Sequence, residues 1–503
     1  MRISCLLLST FWLLAHTSAL AEPINIGSRL ELFVDDYLIE SRDGAELRIH
    51  HPQPKEICFV RDEAWEGSGS GYDTVFQDGD LYRMYYKAWE HASNPDADGG
   101  HDTFGAYAES KDGKIWTKPK LGIWEFEGSK ENNIVWMGKG GHDFSAFRDT
   151  NPDCPPEEQY KAVSHGHESD PKGLMAFKSP DGIHWSLLQE DPIIPWGKVG
   201  ESKDIRLLFD TQNVAFWDEV KQEYRCYIRA FQGDLRVVCT ATSKDFRTWS
   251  TPVLLNFGDV KAPALYTNQV KPYYRAPHIY IGFPARYSDR GWSPSMRALP
   301  MLEHREKRAE HETRFGTTVT DSLLIASRDG VKFKMWMETF LRPGLRTADN
   351  WVYGDNYIAW HVVETEADME NAPRELSLYA TESYWTGKAS YLRRFTLRID
   401  GFVSAYGPYD GGTLTTKPVI FDGEQLILNF STSAAGSIRI ELQEADGTPI
   451  PGFTLEDSEL VFGDDLARVV PWKDDKNLAA LAGKAVRIKF EMKDADLYSY
   501  KFE

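Results

Sequence analysis

The stretch Ser179–Trp185 reads SPDGIHW, and the chain writes nearly the same phrase three more times: SKDGKIW at Ser110–Trp116, SKDFRTW at Ser243–Trp249 and SRDGVKF at Ser327–Phe333. Each is Ser-x-Asp, usually Gly, then an aromatic six positions after the serine. Recurrence at intervals of about 65–85 residues implies one supersecondary unit used several times, whose faces are buried only by neighbouring copies. That requirement, more than any other feature, limits what the chain can fold into.

Two strand-like runs precede each copy. The first unit has DTVFQDG from Asp73, LYRMYYKAW and TFGAYAESKDG; the second has DFSAFRD from Asp143, YKAVSHG and LMAFKSPDG. The third has NVAFWDE from Asn213, YRCYIRAF and VVCTATSKD; the fourth has NQVKPYY from Asn268, HIYIGFPARY and DSLLIASRDG. A fifth, degenerate unit has NYIAWHVVE from Asn356 and ELSLYATES from Glu375. Short β-branched and aromatic runs separated by Gly, Asp and Pro read as meanders of about four strands. Four-stranded sheets stacked radially form a β-propeller. The expected fold is all-β: a five-bladed β-propeller over residues 22–400, then a β-sandwich over 401–503. The Ser-x-Asp-Gly turn joins third and fourth strands, its aromatic filling the gap to a neighbouring blade. A turn present in almost every blade marks no single active site. RLELFVDDYLI (Arg29–Ile39) is expected to complete the last blade and remove its open edge. From Gly401 the strands KPVIFDGEQLILNFSTS, GSIRIELQEADGTPI and KAVRIKFEMKDADLYSYKFE alternate without that turn, as in a sandwich serving as a brace.

At 503 residues, two or more domains are expected. Residues 1–21 carry Arg2, an apolar run from Ile3 and an Ala19-Leu20-Ala21 cleavage pattern, the features of a signal peptide. The mature chain is thus expected to be secreted or periplasmic, with no membrane anchor. The net charge of −19 disfavours nucleic acid or an anionic membrane as partner. The remaining cysteines Cys58, Cys154, Cys226 and Cys239 lack C-x-x-C spacing, which argues against zinc. Cys226 and Cys239 lie on neighbouring strands around FQGD, either as a disulfide or as two buried thiols. Aromatic residues make up 13% of the chain, with 16 Trp, as suits a sugar site or aromatic-packed β-repeats.

The innermost strand of every blade starts at one mouth of the central channel. Alignment of the units brings Asp73, Asp143, Asn213, Asn268 and Asn356 to equivalent positions, with His142, Arg148, Asp149, Asp210 and Gln212 close by. Paired carboxylates suit glycoside cleavage: one attacks the anomeric carbon or activates water, another protonates the leaving oxygen. Amides then hold sugar hydroxyls. The plainer role of Asp and Asn here is to cap strand ends and turns. No metal or cofactor is required, although the oxygen ligands of the channel would suit a structural Ca²⁺.

Five blades followed by a sandwich resemble the layout of glycoside hydrolase family 32; families 43 and 117 and the mannoside phosphorylases share the propeller alone. ELFVDDYLIE, LYTNQVKPYY, ELSLYATES and LRIDGFVSAY resemble most closely the secreted family 32-like proteins of marine planctomycete-type bacteria. The resemblance implies a catalytic Asp at the start of the first blade, which nominates Asp73 in DTVFQDGDLYRMYY. It implies a stabilising Asp from the second blade: Asp143 by strand position, or Asp149 by likeness of RDTNP to an Arg-Asp-Pro motif. It also implies a third-blade Glu as general acid, and here the sequence departs from the pattern. Asp210 and Asn213 stand there instead, with Glu201 upstream, and the fifth blade offers Glu375 or Glu382.

The resulting expectation is a glycosidase cleaving an oligo- or polysaccharide, with Asp73 as nucleophile or base, Asp143 or Asp149 as stabiliser and Asp210 as acid. Substrate-binding candidates are His142, Arg148, Gln212, Asn213, Asn268, Asn356 and Glu382. The alternative is a non-catalytic carbohydrate-binding propeller, which the missing third-blade Glu favours. A sialidase is a weaker fit, because its Asp box is one residue longer; a lyase would need a Tyr–His pair facing the channel.

Overall fold

The computed structural model describes residues 22–92, 94, 96, 99–166, 172–199 and 204–503. Residues 1–21, read above as a signal peptide, and Glu201 lie outside them. The chain forms two compact units, one of Leu30–Asp35 and Leu47–Ala405, the other of the N-terminal stretch through Arg29, Asp36–Glu46 and Tyr406–Glu503.

The larger unit is a five-bladed β-propeller. The first blade runs Gly71–Asp78, Leu81–Ala88, Phe104–Ser110 and Ile134–Trp136, inner to outer and all antiparallel. The second is built on Ser145–Arg148, Tyr160–His165 and Gly173–Ser179, and the third on Val214–Asp218, Glu223–Gln232 and Leu235–Ser243. Lys271–Tyr273, Ala276–Gly282, Thr318–Ser327 and Phe333–Leu341 make the fourth. The fifth has Val363–Thr365, Glu375–Glu382 and Ser390–Leu397, with Gln53–Arg61 as its outer strand.

That last pairing corrects the expected closure. The strand completing the final blade is Gln53–Arg61, not Arg29–Ile39. It also explains why the fifth unit lacks the Ser-x-Asp turn. Its fourth strand arrives from the other end of the chain, so no hairpin is needed there. On the inner side, backbone hydrogen bonds link the first and last blades: Trp360 N–H donates to the Asp73 carbonyl (2.8 Å) and the Trp360 carbonyl accepts Val75 N–H (3.0 Å).

The repeated turn behaves alike in all four copies. The serine hydroxyl meets the aspartate carboxylate, and that carboxylate accepts two backbone N–H groups beyond the turn (2.8 Å each from Ile183 and His184 to Asp181). The fourth position needs positive φ, supplied by Gly113, Gly182 and Gly330 at +71°, +80° and +79°; Phe246 occupies it at +62° in the third copy. A left-handed non-glycine residue costs roughly 1–2 kcal/mol, offset here by the packing of the Phe246 ring on Tyr224 and Phe147. Each glycine carbonyl accepts a tyrosine hydroxyl from the preceding blade: Tyr379 to Gly113 (2.6 Å), Tyr85 to Gly182 (2.8 Å) and Tyr227 to Gly330 (2.9 Å). The turn aromatics Trp116, Trp185 and Phe333 stand edge-on to those tyrosines. Turn and aromatic together are the inter-blade fastening.

Helices at Pro294–Arg297, Leu302–Ala309 and Thr313–Thr317 interrupt the fourth blade, a feature absent from the all-β expectation. Cys226 and Cys239 pair with Ala241 and Ile228 respectively, and both remain buried free thiols.

The smaller unit is a mixed sheet built from both chain ends. Leu426–Glu444 and Ala485–Phe502 run antiparallel along most of their length; Gly412–Thr416 and Val419–Phe421 also pair with the latter. The N-terminal strands Ile24–Gly27 and Ile39–Asp43 join Val419–Phe421 and Gly412–Thr416. Its core includes Leu428, Ile440, Ile488 and Phe490, with Phe421 stacked on Phe502 at 3.8 Å.

Candidate functional site

Inner strands of the first and second blades deliver Asp73 and Asp143 to the same mouth, each 1% exposed. Their surroundings differ sharply. Asp73 is locked: the buried Arg61 guanidinium, from the closing strand, donates to one carboxylate oxygen and the Thr381 hydroxyl to the other (3.3 Å). Both oxygens of Asp143 are sealed from solvent, and neither accepts a hydrogen bond among the described residues. Its neighbours are the Lys87 Nζ at 3.8 Å and the His142 Nε2 at 3.7 Å. Burial pushes the Asp143 carboxyl up to about 6; His142 and Lys87 oppose that shift and Asp210 adds to it.

His142 links this sealed carboxylate to an open one. Its Nε2 also lies 3.3 Å from Asp210, whose side chain is 69% exposed at the mouth. Burial by the surrounding walls would raise the Asp210 carboxyl, but the His142 hydrogen bond and the charges of His142, Arg229 and His165 hold it far below the usual carboxylate range. The mouth therefore pairs a sealed carboxyl group whose burial favours its protonated form with an open one whose neighbours favour its ionised form. Environments that push two carboxyl groups apart in this way are found at acid–base sites and in structural ion-pair networks alike.

Aromatic side chains form the wall. Lys87 is buried, with its ammonium 4.2 Å from the Tyr72 ring, 4.4 Å from Trp89 and 3.4 Å from the Tyr384 hydroxyl. Burial lowers its pKa, with Asp143 and Asp210 opposing. Tyr72, Tyr266, Tyr353, Tyr357, Tyr384 and Trp385 pack together behind it, with Trp89 and Phe315 against them. The helical insertion reaches this wall as Arg308, whose guanidinium lies 4.1 Å from the Trp385 ring, and His304, hydrogen-bonded to the Trp385 carbonyl at 2.9 Å. On the other flank Trp196, 38% exposed, stands edge-on to His165, itself edge-on to His142.

The remaining candidates take other places. Gln212 ties inner strands together, donating to the Asp73 carbonyl and Thr74 hydroxyl (3.1 Å each) and accepting from Gln269. Asn213 donates to the Phe209 and Thr211 carbonyls and accepts Arg229 N–H, while Asn268 bonds the Tyr227 carbonyl and Val270 N–H. Asn356 adopts φ +64° and reaches the Thr320 carbonyl. These amides fix the backbone at the strand starts. Glu382 pairs with Arg393 at 2.7 Å and Glu375 with Arg394 at 3.0 Å. Asp149 is six residues beyond Asp143, roughly 20 Å along an extended strand, paired with Lys161 (2.5 Å) and Tyr224 (2.7 Å). Arg148 beside it meets Asp78 at 2.7 Å. Both belong to the opposite end of the channel from Asp143.

His142, Asp143 and Asp210 offer three donor atoms within 4.8 Å of one another. A cation there would share Asp143 with the Lys87 amine, and an imidazole nitrogen is a poor substitute for the oxygen ligands of Ca²⁺. The cluster is better suited to moving a proton. Sequence reasoning missed Lys87, Arg61 and Trp196, because they come from a second strand, the closing strand and a loop.

No protein-family model matches the chain, and no curated protein matches it. Among solved structures it is similar to a family 32 β-fructofuranosidase from Bombyx mori (10% identity, TM-score 0.38, covering 91% of this chain and 94% of that one). It is similar also to the catalytic domain of a family 62 α-L-arabinofuranosidase from Coprinopsis cinerea (7% identity, TM-score 0.42, covering 70% and 99%). A third is an N-acetylgalactosamine deacetylase from F. plautii in complex with blood group B trisaccharide (13% identity, TM-score 0.42, covering 71% and 95%).

Proposed function

We propose that the protein is a secreted glycoside hydrolase acting on an oligo- or polysaccharide at the mouth lined by Asp143, His142 and Asp210. One observation carries this reading: an exposed carboxylate, Asp210, and a sealed one, Asp143, both lie within 4 Å of the His142 Nε2, beside an aromatic wall. Asp210 is the carboxylate that meets the anomeric centre or its attacking water. We assign it this role rather than that of the acid that the sequence suggests, because the His142 hydrogen bond and the neighbouring positive charges favour its ionised form. His142, partly open to the mouth, carries the proton to the leaving oxygen through its Nε2, and Asp143, 3.7 Å from that same nitrogen, acts on the transfer through its charge. Trp196, 38% exposed, offers ring surface on which a sugar stacks.

The binding-module reading is favoured by the state of Asp73. The carboxylate nominated as nucleophile is engaged by Arg61 and Thr381 and closed to solvent. A screen of residues 22–503 against plant and marine glycans, with Asp210→Asn alongside, separates the two. Sugar released by the wild type but not the variant supports the hydrolase; glycan retained intact by both supports the binding module.

A further inference from the structure

A cavity of about 620 Å³ opens at the other end of the inner strands, lined by Phe76, Asp149, Lys271, Tyr274, His361 and Val363 among others. Phe76 lies three residues past Asp73 and Asp149 six past Asp143, so this cavity is distinct from the carboxylate mouth. Its volume is within the range of small-molecule sites.

The charges around it are matched, with one exception. Asp149 pairs with Lys161 at 2.5 Å, and Arg148 with Asp78 at 2.7 Å. Glu364 accepts the Tyr274 hydroxyl and faces Arg374 at 3.9 Å. Lys271 makes no ion pair among the described residues. Its amine has one hydrogen bond, to His361 Nε2 at 3.4 Å, and otherwise faces the Trp360 and Phe216 rings at 5.3 and 6.0 Å. An ammonium has three N–H donors, so two have no hydrogen-bond partner among the described residues, on a side chain that lines the cavity.

The backbone of His361 is held at φ +81°. Left-handed non-glycine conformations gather at ligand clamps and active sites. Burial lowers the Lys271 amine to about 7, with the charge of Glu219 opposing, so that an anion bound beside it would favour its ammonium form.

We propose that this cavity binds a small organic molecule bearing a single negative charge, a carboxylate or a sulfate monoester, through the Lys271 ammonium that His361 holds in place. One unmatched cation calls for one negative charge, which excludes a phosphate dianion as the preferred ligand. Phe76 and Val363 supply apolar surface for the body of the molecule. The inference is independent of any chemistry at Asp210.

The test is calorimetric titration of the full chain with glucuronate, with galactose 6-sulfate and with galactose as neutral control. Both arms carry the proposed charge, and the tighter one identifies whether carboxylate or sulfate is the natural group. The expected result is binding of at least one anion at least 10-fold tighter than galactose, lost in Lys271→Met. In the wild-type chain the same anion should protect Lys271 from reductive methylation, read by peptide mass, so the proposal stays testable if the variant fails to fold. Equal binding of galactose, undiminished anion binding by Lys271→Met, or methylation of Lys271 unaffected by saturating anion would each overturn it.

Discussion

Replacing Asp143 by Asn should make the protein more stable at neutral pH. Asn mimics the protonated acid, and the folded state holds that proton more tightly than the unfolded chain does. The folded pKa is raised from 3.8 to about 6. Between those values the folded state binds a proton that the unfolded state has shed, so wild-type stability falls as pH rises through the window. Above pH 6 the full cost is present. Two pKa units correspond to about 3 kcal/mol, undiminished by solvent because the side chain is 0% exposed. For a unit of this size that is about 4 °C in Tm, taking ~2 cal/mol/K of unfolding entropy per residue. Thermal melts of wild type and Asp143→Asn at intervals from pH 3.5 to 8 measure it. The curves should coincide below pH 4 and diverge in favour of the variant above pH 6. A variant less stable than wild type at pH 7 would refute the reasoning. It would mean that the carboxylate is a net-favourable ion-pair partner of Lys87.

Asp73→Asn should do the opposite, destabilising the fold by about 3–5 kcal/mol in a denaturant titration, because it strands the buried Arg61 guanidinium. Lys271→Met should stabilise by up to about 4 kcal/mol at pH 6. The folded amine pKa lies below the unfolded one, so wild-type stability climbs from about pH 7 toward 10.5 and the advantage of methionine shrinks over that range. A Tm difference that grows with pH would contradict this. Tyr379→Phe removes the hydroxyl that fastens the fifth blade to the first-blade turn, at an expected cost of about 1–3 kcal/mol for the stranded Gly113 carbonyl; urea unfolding tests it.

The blades were legible because their information is local. A Ser-x-Asp-Gly turn dictates its own geometry, and strand starts can be counted back from it. Closure was not legible. Gln53–Arg61 pairs with Ser390–Leu397 across more than 300 residues, and no pattern in QPKEICFVR says so, whereas RLELFVDDYLI looked the better strand. The insertion around Leu302–Ala309 is rich in Glu, Lys and Arg and thin in apolar residues, so it carries little periodic signal despite good helix propensity. At the site, Asp73 and Asp143 could be placed by alignment, but their states could not. What distinguishes them is Arg61 from the closing strand and Lys87 from the neighbouring strand, both tertiary contacts. Asp149 shows the limit of motif likeness, since six residues of extended chain carry it to the other end of the channel.

The most direct test of the proposed chemistry compares a natural glycan with the matching nitrophenyl glycoside, whose leaving group departs without a proton. If His142 delivers the proton and Asp210 meets the anomeric centre, His142→Gln should lose about 10²–10⁴-fold on the glycan yet keep most of its rate on the nitrophenyl glycoside, while Asp210→Asn loses both. Equal losses of His142→Gln on the two substrates, or full activity of Asp210→Asn on either, would contradict the account.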